Sequence, residues 1–314
     1  MKPQAPQLIG ITMGDPSGIG PEVMVKAIQS SKLPRDCRFK IIGDYVLYQR
    51  YSSFLPKNCT FVDLQCLPLK KWRIGKPNRL SGKASLAYLE KAVELLKKKE
   101  ISSLVTAPVS KEAVAFLKPS FQGHTEFLAE AFGIKEAGMM FVADKFRTIL
   151  VTRHIPLKAV SKTITTQNIY STLNLTHRAL IELFKIKRPC IAVCGLNPHA
   201  GEKGLLGKEE IKKIIPAIQK ARKNKMNIIG PMAADTLFLP EKLSRYDAVA
   251  AMYHDQGLIP MKALYFRKVV NLTIGLPFIR TSPAHGTAFD IAGKDMADPS
   301  SMIEAIQLAA CLSP

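Results

Sequence analysis

The sequence predicts an α/β fold built on a mostly parallel sheet, and three observations carry that expectation. Short apolar runs rich in β-branched residues alternate with longer stretches of helical periodicity. The 314 residues suffice for one large α/β unit or two smaller lobes. The residues with chemical potential fall just after the expected strands, where open α/β sheets place their ligands.

The first apolar run, 8–13, leads into "GDPSGIGPE" at 14–22 and a helix expected over 21–29. Pro21 suits a first helical turn and Glu22 its positive end. The turn lacks the third glycine of a dinucleotide fingerprint, so a Rossmann fold is not expected. A strand follows at 39–42. Region 51–82, with Pro56, Pro68 and Pro77, reads as irregular. "GKPNRLSGKAS" at 75–85 superficially resembles a phosphate loop. Six residues separate Gly75 from Gly82 where four are needed, and Ala84 stands where Ser or Thr is required, which excludes ATP hydrolysis on this motif. A helix at 86–98 places Leu86, Leu89, Val93 and Leu96 on one face. Further strands are expected at 103–106, 148–151, 190–194, 248–251 and 269–273. Further helices are expected at 125–131, 167–184, 208–223 and 299–312.

The formal charge is +20. The densest lysine runs, 97–100 and 212–225, read as solvated helix faces. Aromatics do not interleave with the basic residues, and no nucleic-acid-binding signature is present. An anionic small substrate fits this balance better than a nucleic acid. No apolar run approaches the ~18 residues of a membrane span, and no signal-peptide pattern opens the chain. A cytoplasmic protein without a membrane partner is expected. The six cysteines form no Cys-x-x-Cys pair and read as reduced packing residues.

Of the six histidines, His177 lies inside an expected amphipathic helix and reads as structural. The other five, His124, His154, His199, His254 and His285, fall in loops marked by Gly or Pro. His154, His199 and His254 each follow an expected strand end. They suit a divalent metal site with an open position, with Asp235 and Asp255 as ligands or orienting partners. Their spacing suits surface or packing histidines equally well. "GHTE" at 123–126 reads as a helix start, with Thr125 near the cap and Glu126 in the first turn. It is either a plain cap or a seat for a carboxylate or phosphate. Lys262, Asn271 and Arg280 recur at nine-residue intervals, and the two cations suit a phosphate. The candidate catalytic residues are Lys262 and Asp235.

Together the motifs resemble the 4-hydroxythreonine-4-phosphate dehydrogenase family of vitamin B6 biosynthesis. The carriers are "GDPSGIGPE", "TAPVSKEA" at 106–113, "GHTE", "NPHAGE" at 197–202, "AADT" at 233–236, "YHDQGLIPMK" at 253–262 and "TSPAHGTAFDIAGK" at 281–294. The resemblance implies oxidation of 4-phosphooxy-L-threonine at C3 with NAD or NADP. Decarboxylation to 3-amino-2-oxopropyl phosphate follows, on the way to pyridoxine 5'-phosphate. It implies a divalent metal (zinc, magnesium or cobalt) on His154, His199 and His254. Substrate contacts are implied at His124, Thr125, Lys262, Asn271 and Arg280, in a homodimer with its active site at the subunit interface. A paralogue acting on 4-phosphoerythronate or phosphothreonate would carry nearly the same motifs. A phosphate acyltransferase of the same general fold would need neither NAD nor three metal-binding histidines.

A second resemblance concerns the cofactor. "GDPSGIGPE" is similar to the "GDGIGPE" of isocitrate and 3-isopropylmalate dehydrogenases with two residues inserted. "HGTAFDIAGKDMADP" at 285–299 is similar to their "HGSAPDIAGKGIANP", which holds the adenosine half of NAD. This implies His285, Gly286, Thr287 and Asp290 as cofactor contacts. It also implies their two-lobed α/β/α architecture, with 1–125 and 280–314 in one lobe and 126–279 in the other. The active site would lie in the cleft between lobes, with Asp15 and Ser17 as cleft residues.

Overall fold

The computed structural model describes residues 7–34, 36–68 and 71–312. In chain order the elements are β1 (Leu8–Thr12), α1 (Gly20–Ile28), β2 (Arg38–Gly43), α2 (Tyr45–Gln49), β3 (Cys59–Asp63), α3 (Arg79–Lys97), β4 (Ser103–Thr106), α4 (Lys111–Ala115), α5 (His124–Ala131), β5 (Gly138–Ala143), β6 (Phe146–Leu150), α6 (Leu157–Thr163), α7 (Thr166–Glu182), β7 (Cys190–Cys194), α8 (Ile215–Lys223), β8 (Asn227–Met232), α9 (Ala234–Leu237), α10 (Pro240–Leu243), β9 (Ala248–Ala251), α11 (His254–Tyr265), β10 (Val270–Ile274), β11 (Ile279–Pro283) and α12 (Ser300–Leu312). A tight turn, Pro198–Gly204, and a π segment, Glu210–Ile214, lie between β7 and α8.

The chain forms two compact units. The first runs to Lys135 and takes back Val270–Leu272 and the chain from Leu276 through α12. The second is Glu136–Val269 with Thr273–Gly275. The break therefore falls at 135/136 rather than at 125/126, and α5 stays whole in the first unit.

In the first unit the strands lie in the order β3-β2-β1-β4-β11, each pair parallel. Leu8 is opposite Arg38, Ile9 opposite Ser103, and Ser103 also opposite Ile279. In the second unit the order is β5-β6-β9-β7-β8. Here β5 and β6 form an antiparallel hairpin and the remaining pairs are parallel. Strands β4 and β9 are buried along their whole length. Parallel strands covered on both faces need continuous apolar runs, which is why these segments stand out in the sequence.

Several elements depart from the sequence expectation. The region expected to be irregular at 51–82 contains β3 and the first turn of α3. Helix α3 begins at Arg79 because Asn78 caps it. The Asn78 side chain accepts from Ser81 N–H (2.9 Å), and the Ser81 hydroxyl accepts from Asn78 N–H (3.3 Å). The phosphate-loop look-alike is thus a capped helix start. The largest correction is α11. The stretch after β9 was expected to be a loop, yet it is helical from His254 to Tyr265 despite Gly257 and Pro260. Gly257 serves packing: a Cβ there would meet Thr148 Cγ2 at 2.8 Å and Leu150 Cδ2 at 2.9 Å, so its absence lets α11 lie on β6.

The turn between β1 and α1 joins distant segments of the first unit. Ser17 Oγ donates to the Arg73 carbonyl (2.7 Å) and accepts from Trp72 Nε1 (3.1 Å) and Asn78 Nδ2 (3.2 Å). Ile19 N–H donates to the Thr287 carbonyl (2.9 Å). The fully buried Glu22 accepts from Ala297 N–H and from Lys26, both at 2.8 Å. Asp15, also fully buried, accepts from Ser17 N–H through Oδ1 (2.8 Å), while Oδ2 has no hydrogen-bond partner.

Burial pushes the Asp15 carboxyl up to about 6, against the opposing effect of its Ser17 hydrogen bond. Its folded-state pKa lies above the ordinary 3.8, so folding favours the neutral acid. The stability this group contributes is therefore complete below pH 3.8 and lost as pH rises through about 6. Asp15→Asn is expected to remove that loss, which reaches about 3 kcal/mol by neutral pH. Urea denaturation at pH 4 and pH 7.5 checks this; an equal difference from wild type at both values would show that the side chain is not held neutral by burial.

Candidate functional site

Two clusters of functional side chains stand out, one in each unit. In the first unit Gly123 caps α5 and His124 is its first residue. His124 Nε2 is buried without a hydrogen-bond partner. Burial, then the positive charges of Arg280 and Lys111, hold this imidazole well below its ordinary pKa. It is neutral near pH 7 and can donate or accept one hydrogen bond.

Arg280, on β11, is only 1% exposed. Its Nε donates to Thr106 Oγ1 (3.2 Å), and Nη2 donates to the same oxygen. Burial lowers the guanidinium to about 9, opposed by the negative charge of Glu126, so it stays charged at neutral pH. Lys111, the first residue of α4, reaches the same helix start. A Cβ on Gly123 would lie 3.8 Å from Lys111 Nζ and 3.4 Å from Glu126 Oε2. Thr125 is buried one residue on. Asn271 lies on β10, the strand next to β11, and its Oδ1 is buried without a partner. A helix N-terminus beside a buried guanidinium, an ammonium and a neutral imidazole suits an oxyanion. The structure thus gathers the expected His124, Thr125 and Arg280. Lys111 and Thr106 were missed as site residues, although both lie in the "TAPVSK" stretch that follows β4.

The second cluster lies at the carboxyl ends of β6, β7 and β9. His154 and His254 stand together, ring centroids 5.5 Å apart and planes inclined at 45°. His254 Nδ1 lies 2.7 Å from Asp255 Oδ1, the type of contact that fixes an imidazole and leaves Nε2 available. His199 is exposed and lines a pocket of about 610 Å³ with Asp235, Tyr253, Asp255, Gln256 and Phe238. Among the described residues, no three or more His, Cys, Asp or Glu side chains stand close enough to hold a metal ion. One chain therefore pairs His154 with His254 and sets His199 in the pocket. Of the candidate catalytic residues, Asp235 lies in the first turn of α9 on the pocket wall. Lys262 lies in the last turn of α11, half-buried, and is not among the lining residues.

The expected cofactor loop belongs to the first unit. His285 Nδ1 lies 3.0 Å from the Gly286 carbonyl, and Asp290 is exposed. A Cβ on Gly286 would meet nothing within 4 Å, so the loop is open there. Its far end is fixed to α1 by the Glu22 and Lys26 contacts, including a 2.9 Å ion pair from Lys26 to Asp295. All six cysteines are free thiols. No described helix is long and apolar enough to cross a membrane.

The fold recurs in known proteins, and relatives match the sequence over nearly its full length. The chain is 42% identical to a 4-hydroxythreonine-4-phosphate dehydrogenase of Sulfurihydrogenibium sp., covering 97% of this chain and 98% of that protein. It is also 42% identical to a D-threonate 4-phosphate dehydrogenase of Cupriavidus necator, covering 98% and 97%. The crystal structure of a 4-hydroxythreonine-4-phosphate dehydrogenase from Klebsiella pneumoniae superposes with a TM-score of 0.85 at 34% identity, covering 98% of this chain and all of that one. A β-decarboxylating dehydrogenase from Thermococcus kodakarensis shares the fold alone, with a TM-score of 0.52 at 15% identity over 97% of this chain and 81% of that one. Residues 21–309 match the family of the pyridoxal phosphate biosynthetic protein PdxA, and the chain belongs to that family.

Proposed function

We propose that this protein is an NAD(P)-dependent 4-hydroxythreonine-4-phosphate dehydrogenase. It oxidises 4-phosphooxy-L-threonine at C3 and releases CO2 to give 3-amino-2-oxopropyl phosphate, in the biosynthesis of pyridoxine 5'-phosphate. The observation that carries this reading is the cationic cluster of Arg280, Lys111 and neutral His124 at the start of α5. It is a seat for a phosphate, and the relatives are named for phosphorylated substrates.

Arg280 anchors the phosphate, with His124, Thr125, Lys262 and Asn271 as its companions in holding the substrate. Asp235, on the wall of the pocket that holds His199, takes the proton of the reacting hydroxyl. Lys262 returns a proton after CO2 leaves. The donor set at His154, His199 and His254 fits a divalent metal in type: all three are imidazoles, and Asp255 orients one of them. One chain brings only two of them together, which accords with a site completed in a homodimer. When bound, such a metal acidifies the substrate hydroxyl and stabilises negative charge on that oxygen. The open loop with His285, Gly286, Thr287 and the exposed Asp290 offers hydrogen-bonding partners for the hydroxyls of a dinucleotide.

A second reading, oxidation of D-threonate 4-phosphate, has a relative of equal identity behind it. The pocket around His199 favours the first. Its lining carries Asp235 and Asp255 and, among the described residues, no Lys or Arg, which suits the ammonium of the amino acid better than a hydroxyl.

Purified protein is expected to reduce NAD or NADP with 4-phosphooxy-L-threonine, and with a lower kcat/KM for D-threonate 4-phosphate. No reduction with the first compound would sink the assignment. Arg280→Lys, which loses the guanidinium fork, is expected to raise KM for the phosphorylated substrate about tenfold or more. Unchanged KM in a folded variant would move the phosphate elsewhere. His199→Ala is expected to abolish turnover together with bound metal, measured by elemental analysis; full metal content with a normal rate would refute the histidine site.

A further inference from the structure

His199 does not sit in an ordinary loop. His199, Ala200, Gly201, Glu202 and Lys203 have φ of 52°, 53°, 79°, 41° and 55°, so five successive residues wind left-handed. Four of them carry a Cβ that opposes this conformation, which L-residues adopt singly and rarely as a run. Such a turn persists only where its surroundings over-determine it.

We propose that Glu210 is the positioning residue that imposes this turn and thereby aims His199; the inference rests on the reading of His199 as a working residue. Glu210 is 2% exposed, and a carboxylate so buried must be met by donors. Its Oε1 accepts from Leu196 N–H and Asn197 N–H, both at 2.8 Å. Its Oε2 accepts from Asn197 Nδ2 at 2.9 Å. Two successive backbone N–H groups aimed at one oxygen form an anion nest, filled here by the protein's own side chain. The carboxylate also packs against Gly195 and Gly201. A Cβ on Gly201 would lie 2.5 Å from Oε2, and one on Gly195 would lie 3.2 Å from Oε1. His199 thus lies midway between Asn197, which Glu210 holds by hydrogen bonds, and Gly201, against which its carboxylate packs.

Neighbouring groups brace the clamp. Glu209 accepts from Asn197 Nδ2 (2.9 Å) and from the Ser161 hydroxyl (2.6 Å), and these bonds hold its carboxyl down to about 2. Gln256 donates to the Gly195 carbonyl (2.8 Å) and accepts from Met252 N–H (2.7 Å). It lies on α11 two residues beyond His254, so the His199 loop is tied to the element that carries His254. Glu210 itself opens the π segment that precedes α8, a rare element that recurs at functional sites.

Glu210→Leu keeps much of the volume but removes both acceptor oxygens, and so deprives the Leu196 and Asn197 N–H groups and Asn197 Nδ2 of them. The amides of Leu196 and Asn197 are expected to exchange hydrogen at least about tenfold faster, while β7 stays protected. Cobalt affinity and kcat are each expected to fall about tenfold or more, as for an orienting partner of a metal ligand. KM for 4-phosphooxy-L-threonine should stay within about twofold, because the phosphate seat is built from other residues. Gly201→Ala, which keeps the charge but crowds it, is expected to give the same pattern and serves if the first variant does not fold. Unchanged exchange at Leu196 and Asn197 in either variant overturns the clamp. Faster exchange with unchanged cobalt affinity and kcat overturns its link to His199. A wild-type protein that binds no cobalt and reduces no cofactor sinks the functional reading instead, and the exchange rates then decide the clamp alone.

Discussion

Carboxylates that accept backbone N–H groups at strand and loop ends hold this molecule in register. The chain has 45 Lys and Arg against 25 Asp and Glu, so acids are scarce, yet several are used in this way. Asp15 takes Ser17 N–H, Glu22 takes Ala297 N–H, Asp44 takes Cys66 N–H, Asp247 takes Cys190 N–H, and Glu210 takes two. A parallel sheet explains the need. Its ladder satisfies the strands, but the loops leaving each strand carry donors with no ladder partner. A carboxylate reaches such a donor from a distant segment, and a charge-assisted bond is stronger than a neutral one.

Cations gather instead at the start of α5. Arg280 shares the Thr106 hydroxyl and feels the single charge of Glu126, while Lys111 reaches the same helix start. The pocket around His199 in the second unit shows the opposite balance, lined by that imidazole with Asp235 and Asp255 and, among the described residues, by no Lys or Arg. The two candidate sites thus differ in charge, cationic at the start of α5 and acidic around His199.

β1, β4, β7 and β9 fall where the sequence placed them, because strands covered on both faces need apolar runs and theirs are unbroken by a charge. β3, β5, β8 and β11 were not read. β3 and β8 mix exposed with buried positions and show no clean run, and β11 carries the buried Arg280 that disguises it as polar. α11 was hidden by Gly257 and Pro260, whose helix-breaking tendency is overridden by packing on β6. The site residues were legible as motifs, but their supports were not. Glu210 lies thirteen residues beyond the Asn197 it holds, and nothing local in "KEEIKK" distinguishes it from a solvated helix acid.

The placement of His124 separates two sources of pH dependence that composition alone would confuse. A histidine in an anion site is usually taken as the titrating group near neutrality. Here burial and two neighbouring cations keep it uncharged throughout that range. The positive charge of the seat therefore comes from Arg280 and Lys111. Before an anion binds, acidification toward pH 6 therefore adds little charge to the seat through His124. What changes in that range is the ligand, because a phosphate monoester gains a proton near pH 6 and loses one negative charge. Anion binding at this seat should weaken on acidification for that reason, and the neutral imidazole, free to donate or accept, can follow the phosphate oxygen through the change.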